Sequence, residues 1–262
     1  VVWSDKPTSE VLYLGEEVQF IDLWGRRAPV SNVQVDGARK QELRVGKLPL
    51  FVVGMNLAVA RWRLGCAFDN TQLASVFGRP QITKMRFSNS FSRGLGGTVT
   101  LHVPEVWELG YRSANFKLAT EEQREQPFEV VLQNVASSGA QRVRIDFDLT
   151  ADQRYRFRVY REMQVGLGEV LVELETWLND DGRLIVEQHL SNNSKERLSL
   201  NCTLFVPGRR RHRLQVYELG NMEVTDRYAL PDGEDLLGKT LWLRAEEMDG
   251  PRVLNYHVVA EP

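Results

Sequence analysis

The densest group of side chains that could do chemistry is a run of arginines, Arg209-Arg210-Arg211-His212-Arg213, which follows Pro207-Gly208. Guanidinium groups bind carboxylate, sulfate or phosphate through paired hydrogen bonds, so the run could hold an anionic ligand. The run leads directly into alternating Leu214 and Val216, which predicts a strand whose charged edge resists pairing with another sheet. Two uses of the same residues therefore compete: an anion site and a protected strand edge.

The composition favours pairing within the protein. In a nearly neutral chain, unpaired arginines at this density would repel one another, so we expect carboxylates nearby, with Glu246 and Glu247 as candidates. At least two of the four guanidinium groups should then lie within about 4 Å of a carboxylate. Contact with an anionic glycan is the alternative, and nucleic acid is disfavoured. The arginines kept as carbohydrate-binding candidates are Arg209, Arg210, Arg211 and Arg213.

Carboxylates and histidines show no catalytic or metal-binding pattern. Glycoside hydrolysis needs two carboxylates at a defined separation. Glu173 and Glu175 lie two positions apart on one predicted strand face, and we interpret them, with Glu187, as a solvated polar surface. The four histidines are scattered without metal-ligand spacing, and no nucleophile elbow, phosphate loop or dinucleotide fingerprint occurs. The sequence therefore predicts no catalytic residue, no metal site and no cofactor.

Tryptophan is the side chain that most often stacks on sugar rings, so the positions of the six tryptophans matter. Trp107 and Trp177 fall on apolar periodicity and are predicted to be core. Trp24 and Trp62 lie near a turn and in a connecting segment, and they are the better candidates for a carbohydrate platform. Packing between modules is the favoured interpretation of both.

Composition excludes several classes of protein. Of 262 residues, 33 are Lys or Arg and 35 are Asp or Glu, so the formal net charge is −2 and no overall field attracts nucleic acid or an anionic membrane. The longest apolar runs, such as Leu48 to Val53, are too short to span a bilayer. Cys66 and Cys202 are 136 residues apart, so we interpret them as buried, unpaired thiols in separate modules.

Period-two alternation dominates the chain and predicts an all-β fold. Two alternating segments, Glu169 to Trp177 and Leu184 to Leu190, flank Asn179-Asp180-Asp181-Gly182, which predicts a hairpin. Asp36-Gly37 predicts another turn, and helical periodicity occurs only around Leu57 to Leu64. Turn signals at short intervals suit tandem antiparallel β-sandwich modules of immunoglobulin-like type.

Three blocks follow from the positions of the breaks: 1–80, a sandwich piece plus a connector; 81–149, an immunoglobulin-like sandwich; and 150–262, a second sandwich. Roughly 55 residues of strand in the first block bury too little to be stable alone, so we expect support from a neighbour. The segment Val1 to Ser4 has the pattern of a strand already in progress, and we expect a fragment of a longer chain.

The first block resembles the carboxy-terminal β-sandwich that follows the barrel in bacterial glycoside hydrolases. The matching segments are Val2-Trp3-Ser4, Val11 to Leu14, Asp22-Leu23-Trp24-Gly25 and Leu48 to Val53. The resemblance implies a bacterial, secreted protein, located outside the cell or in the periplasm.

The second block is similar to the NEW3-type immunoglobulin-like accessory module found beside glycosidase domains. Its matching segments are Phe87 to Phe91, Gly97 to Leu101, Val103 to Trp107, Phe128 to Leu132 and Val143 to Leu149. Such modules space or orient a catalytic domain, and the resemblance brings no catalytic residues.

The leading hypothesis is thus a non-catalytic accessory region of a larger carbohydrate-active protein, with neighbouring domains, polysaccharide or the cell surface as partners. The alternatives are a carbohydrate-binding module and a structural subunit that self-associates through strand edges.

Overall fold

The computed structural model describes residues 1–35, 38–166 and 168–262, and these residues form sheets in three domains; the strands pair antiparallel except at Gln72–Leu73, which pairs in parallel. Each domain has its own apolar cluster. The prediction of an all-β chain of tandem antiparallel sandwich modules is confirmed. None of the helices in the described ranges has the length and hydropathy that a membrane crossing requires.

The first domain contains two three-stranded sheets, ordered β1-β5-β4 and β3-β2-β6. Its strands are β1 (Thr8–Leu12), β2 (Gln19–Ile21), β3 (Arg27–Ala28), β4 (Ser31–Val35), β5 (Ala38–Val45) and β6 (Phe51–Val53). Only Leu14, Phe20 and Leu43 are fully buried in its core, which is why it depends on its neighbour. The predicted turn at Asp36-Gly37 lies outside the described residues.

The second domain begins with the one α-helix of the described residues, α1 (Leu57–Gly65), where the sequence indicated its only helical periodicity. Its strands are β7 (Ala67–Phe68), β8 (Gln72–Leu73), β9 (Pro80–Ser88), β10 (Leu95–His102), β11 (Trp107–Leu109), β12 (Ser113–Leu118), β13 (Gln123–Leu132), β14 (Gly139–Thr150) and β15 (Arg154–Val165). A five-stranded sheet, β12-β10-β14-β15-β8, packs on a four-stranded sheet, β11-β13-β9-β7. Alternate residues of both sheets point inward and bury a large aromatic core.

The third domain packs a three-stranded sheet, β16-β17-β20, on a four-stranded sheet, β19-β18-β21-β22. Its strands are β16 (Val170–Leu178), β17 (Leu184–Asn192), β18 (Leu198–Phe205), β19 (His212–Leu219), β20 (Glu223–Leu230), β21 (Thr240–Glu247) and β22 (Val253–Val259), with a 3₁₀ helix at Gly233–Leu236. The predicted hairpin between β16 and β17 is confirmed. Gly182 supplies its positive φ of 71°, and the Asn179 side chain accepts backbone hydrogen bonds across the turn.

The apolar cores divide the chain near residues 56 and 167, which differs from the division at 80 and 149 expected from sequence. Trp62 and Cys66, in the expected connector, are buried in the second core. Strand β15 pairs with β14 over twelve residues, so the break near Thr150 is a hairpin turn inside the second domain. A turn signal looks the same in sequence whether it ends a domain or a hairpin.

Polar contacts join the domains. Between the first and second, Arg63 donates to the carbonyl oxygen of Tyr13, and Arg142 pairs with Glu10 at 3.0 Å. Burial without a carboxylate contact lowers the pKa of Arg63 to about 10. Between the second and third, the fully buried Asn255 donates to the carbonyl oxygens of the loop that precedes β14. The three domains are therefore tied together at both junctions.

Candidate functional site

A concave polar surface of the third domain lies on the outer face of its four-stranded sheet. Strand β18 alternates strictly: Leu200, Cys202 and Leu204 are buried, whereas Asn201 and Thr203 point outward. Period two forces this division, since the inner face must be apolar to build the core. Outward polar residues of β19 and β21 then lie beside those of β18.

An open cleft of about 650 Å³ occupies this face. Its outward-facing lining residues are Asn201, Thr203, Arg213, Gln215 and Glu246. The register pairs Asn201 with both Gln215 and Glu246, and pairs Thr203 with Arg213. Gln215 donates to the Asn201 side-chain oxygen at 2.8 Å. Amide, hydroxyl, guanidinium and carboxylate groups from three strands therefore converge on one surface.

Of the two charged side chains that line the cleft, Glu246 has a partner of opposite charge among the described residues and Arg213 has none. Glu246 accepts a hydrogen bond from the Arg244 guanidinium at 2.7 Å. Arg213 is exposed and has no hydrogen bond or ion pair within the described chain. Because the only carboxylate among the described residues that line the cleft already has a cationic partner, the Arg213 guanidinium is available to a ligand.

One end of the cleft is bounded by a ladder of stacked rings. The Phe205 and Trp242 centroids are 4.3 Å apart with planes inclined by 17°, and His257 lies parallel to Trp242 at 6.0 Å. The Arg211 guanidinium carbon lies 4.8 Å from the Phe205 centroid and covers its other side. The central ring faces are thus occupied by one another, so this ladder forms a wall and offers no free platform.

The expectation that the arginine run pairs with carboxylates is wrong. None of Arg209, Arg210, Arg211 and Arg213 has a carboxylate within 4.0 Å among the described residues. Arg209 donates instead to the backbone carbonyl oxygens of Pro231 and Asp232. Only His212 and Arg213 lie on β19, and the preceding arginines form a loop.

The carboxylates expected to neutralise the run are engaged elsewhere. Glu246 is bound by Arg244, and Glu247 is bound by Arg252 through two hydrogen bonds, which lowers the Glu247 pKa. Both partners are close in sequence to the carboxylates that they bind, so these local pairs form in preference to a contact with the arginine run. The four arginines also do not share one groove: Arg209 is bound to the main chain, Arg211 covers a ring, and Arg213 lines the cleft.

Of the two tryptophans proposed as platforms, one is exposed and the other is buried. Trp24 is 64% exposed at the β2–β3 turn, where the Arg26 guanidinium covers one ring face at 5.0 Å, and it lies far in sequence from the cleft. Trp62 is 1% exposed and is surrounded by Phe87 and Phe147 in the second core. Trp62 therefore cannot contact a sugar. The segment that the sequence indicated as a connector forms helix α1, which packs Trp62 into the second core.

Trp177 was predicted to be core, and the structure corrects this. Trp177, Glu173 and Glu175 are all at odd-numbered positions of β16, so they point to the same, outer face of the strand. There the Arg227 guanidinium lies 5.7 Å from the centroid of the Trp177 ring. The apolar residues that do pack inward from this strand are at even-numbered positions.

A second polar cluster lies on that outer face; the sequence predicted a polar surface at Glu175 and Glu187 but not their approach to His189. His189 Nε2 lies 2.9 Å from Glu187, and its Nδ1 lies 3.2 Å from Glu223. Glu175, Glu187 and His189 could share a cation, since their ligand atoms lie within 4.8 Å of one another. Arg227 already hydrogen-bonds Glu187 and lowers its pKa, so the cluster carries its own countercharges.

The cleft is suited to binding a polar solute. A two-carboxylate glycosidase mechanism needs a second carboxyl group, whereas the described lining has only Glu246. The Cys202 thiol is buried beneath the sheet, and burial raises its pKa to about 12, so it is no nucleophile. Of the lining residues, sequence reasoning identified Arg213 as a candidate for ligand binding and Glu246 as a candidate partner of the arginine run. The polar alternation of β18 was the available signal for Asn201 and Thr203.

Comparisons with known proteins do not assign a family. No protein-family profile matches the chain, and no curated protein matches its sequence. Distantly similar solved structures include a red sea bream transglutaminase (TM-score 0.30, 12% identity, 75% of this chain and 31% of that one). They also include the class 5 fimbriae chaperone CfaA (TM-score 0.26, 7% identity, 75% and 100%) and the YadV chaperone (0.28, 8%, 74% and 98%).

The chain thus spans about a third of the transglutaminase's length. At such low TM-scores the overall arrangements differ, and no functional argument rests on them. The resemblance to glycoside hydrolase sandwiches and to NEW3-type modules stays a prediction.

Proposed function

We propose that this chain is a non-catalytic accessory region that binds saccharide through the cleft of its third domain. The observation that carries the proposal is the exposed, unpaired Arg213 beside Asn201, Gln215 and Glu246 in an open cleft of about 650 Å³. This volume falls within the range usual for ligand sites. Saccharide hydroxyls both donate and accept hydrogen bonds, and the cleft offers groups of both kinds.

A second role, as a spacer, is favoured by the domain junctions. Asn255 hydrogen-bonds the second domain from the third, and Arg63 ties the first domain to the second. Buried side chains at a junction resist hinge motion, because opening the junction would leave their polar groups without partners. A chain joined in this way would hold the cleft at a fixed distance from whatever lies beyond the first domain.

Affinity electrophoresis of the purified chain through gels that contain one polysaccharide each tests the binding role. Suitable polymers are xylan, mixed-linkage β-glucan, mannan and polygalacturonate. We expect retardation by at least one of them and its loss in Arg213→Ala. The matched control is Arg79→Ala, which removes an exposed, unpaired arginine from the second domain.

Each outcome of the electrophoresis supports or contradicts a different part of the proposal. Retardation of the wild type and of Arg79→Ala, but not of Arg213→Ala, supports a saccharide site in the cleft. Equal retardation of all three proteins would move the site away from the cleft and contradict the proposal. The absence of retardation in every gel would contradict saccharide binding itself.

A further inference from the structure

We infer that the cleft selects acidic saccharides, which carry carboxylate or sulfate groups, and that Arg213 and Arg211 determine this selectivity. The inference rests on the proposed saccharide-binding function and specifies its ligand class. It follows from the charge left unbalanced around the cleft, from the positions of the two arginines along β18 and from the neutral polar groups that line the cleft.

The charge balance is positive at this end of the third domain. Arg210, Arg211 and Arg213 have no carboxylate partner in the part of the chain that the structure describes. The one acidic side chain in the cleft, Glu246, is neutralised by Arg244. Because the whole chain carries a formal charge of −2, this local excess does not follow from composition. It leaves guanidinium donors that an anionic group on a ligand can satisfy.

The two determinants lie beside successive outward residues of β18. Arg211 covers Phe205, and Arg213 lies beside Thr203, the next outward residue of β18. Successive outward positions on a strand are roughly 7 Å apart. Two neighbouring sugar units of one chain can therefore contact both guanidinium groups. Thr203, beside Arg213, and Asn201, the next outward residue of β18, are neutral and suited to sugar hydroxyls.

The same features disfavour nucleic acid. Single-stranded nucleic acids bind through exposed aromatic faces on which bases stack. Here the Phe205 and Trp242 faces are occupied by each other and by Arg211.

The test compares polymers that differ in charge alone. Binding of the full chain to polygalacturonate is measured by isothermal titration calorimetry against fully methyl-esterified polygalacturonate, and binding to dextran sulfate is measured against dextran. A single-stranded oligodeoxynucleotide is the third arm. We expect affinity for one or both anionic polymers to exceed that for its neutral counterpart by about tenfold, since charge-assisted hydrogen bonds are the strong ones.

The variants assign that preference to residues. Arg213→Gln should remove about tenfold in affinity for the anionic polymer, and Arg213→Lys should remove less, since it retains the charge and loses the paired donors. Arg79→Gln, the remote control, should change the affinity by less than about twofold. Circular dichroism of each variant checks that the fold is retained, as expected for an exposed side chain.

Each outcome has one meaning. An anionic preference that Arg213→Gln abolishes supports the inference, and the two polymer pairs tell carboxylate from sulfate. Equal binding of charged and neutral polymers overturns the selectivity and leaves the proposed function standing. A failure to bind these polymers and those of the electrophoresis test overturns both. Binding of the oligodeoxynucleotide as tight as that of the anionic polymers overturns the saccharide-specific inference.

Discussion

Asn255 is the side chain whose loss should most clearly separate the second and third domains. It is fully buried, and its amide nitrogen donates to the carbonyl oxygens of Asn134 at 3.1 Å and Ala136 at 3.0 Å. Its amide oxygen accepts from Trp242 Nε1 at 3.1 Å, and Trp242 belongs to the ring ladder beside the cleft. One residue therefore joins the domain junction to the candidate site.

The Asn255→Ala substitution removes all three of these hydrogen bonds. At about 1 kcal/mol net for each bond, the loss comes to about 3 kcal/mol. Asn134 keeps a long contact from Arg244 at 3.4 Å, but Ala136 and the Trp242 indole lose their partners, which raises the cost to about 4 kcal/mol. We expect this loss to fall on the third domain and its junction.

Urea unfolding followed by tryptophan fluorescence measures the effect, because Trp177 and Trp242 report from the third domain and Trp62 and Trp107 report from the second core. We expect the variant's third domain to unfold at lower urea than the wild-type domain. The matched control is Asn115→Ala, which removes one exposed hydrogen bond, 2.7 Å long, inside the second domain and should cost less than about 1 kcal/mol. A loss for Asn255→Ala no larger than that of the control would refute the account of the junction.

Two further predictions concern titratable groups. Arg227 holds the pKa of Glu187 below its ordinary value of 4.5, so the stability that this pair contributes is present above about pH 4.5 and is lost as pH falls through the depressed pKa. Glu187→Gln should lower stability at pH 7 and flatten the fall in thermal midpoint between about pH 5 and 3; an unchanged acid slope would contradict this. Burial raises the pKa of both the Cys66 and Cys202 thiols to about 12, so neither should react with a thiol reagent at pH 8 in the native state, and both should react in denaturant. Labelling of the native chain in minutes would show that a core opens.

Local patterns determined much of the fold. Period-two alternation is a property of neighbouring residues, so it marked the strands whatever lay across from them. The turn at Gly182 and the helix at Leu57–Gly65 are likewise local, because each depends on backbone preferences within a few residues. The burial of Cys66 and Cys202 in separate cores also followed from their types and separation.

Only the tertiary structure decided which strand lies beside which, and the candidate site depends on that. Arg213 was marked by sequence, yet its lack of a carboxylate partner depends on Arg244, on another strand, holding Glu246. Trp62 is buried because its helix packs into the second core. Trp177 lies on the outer face because the inward-facing residues of β16 are at even-numbered positions. Pairing and packing join residues far apart in the chain, so no local pattern specifies them.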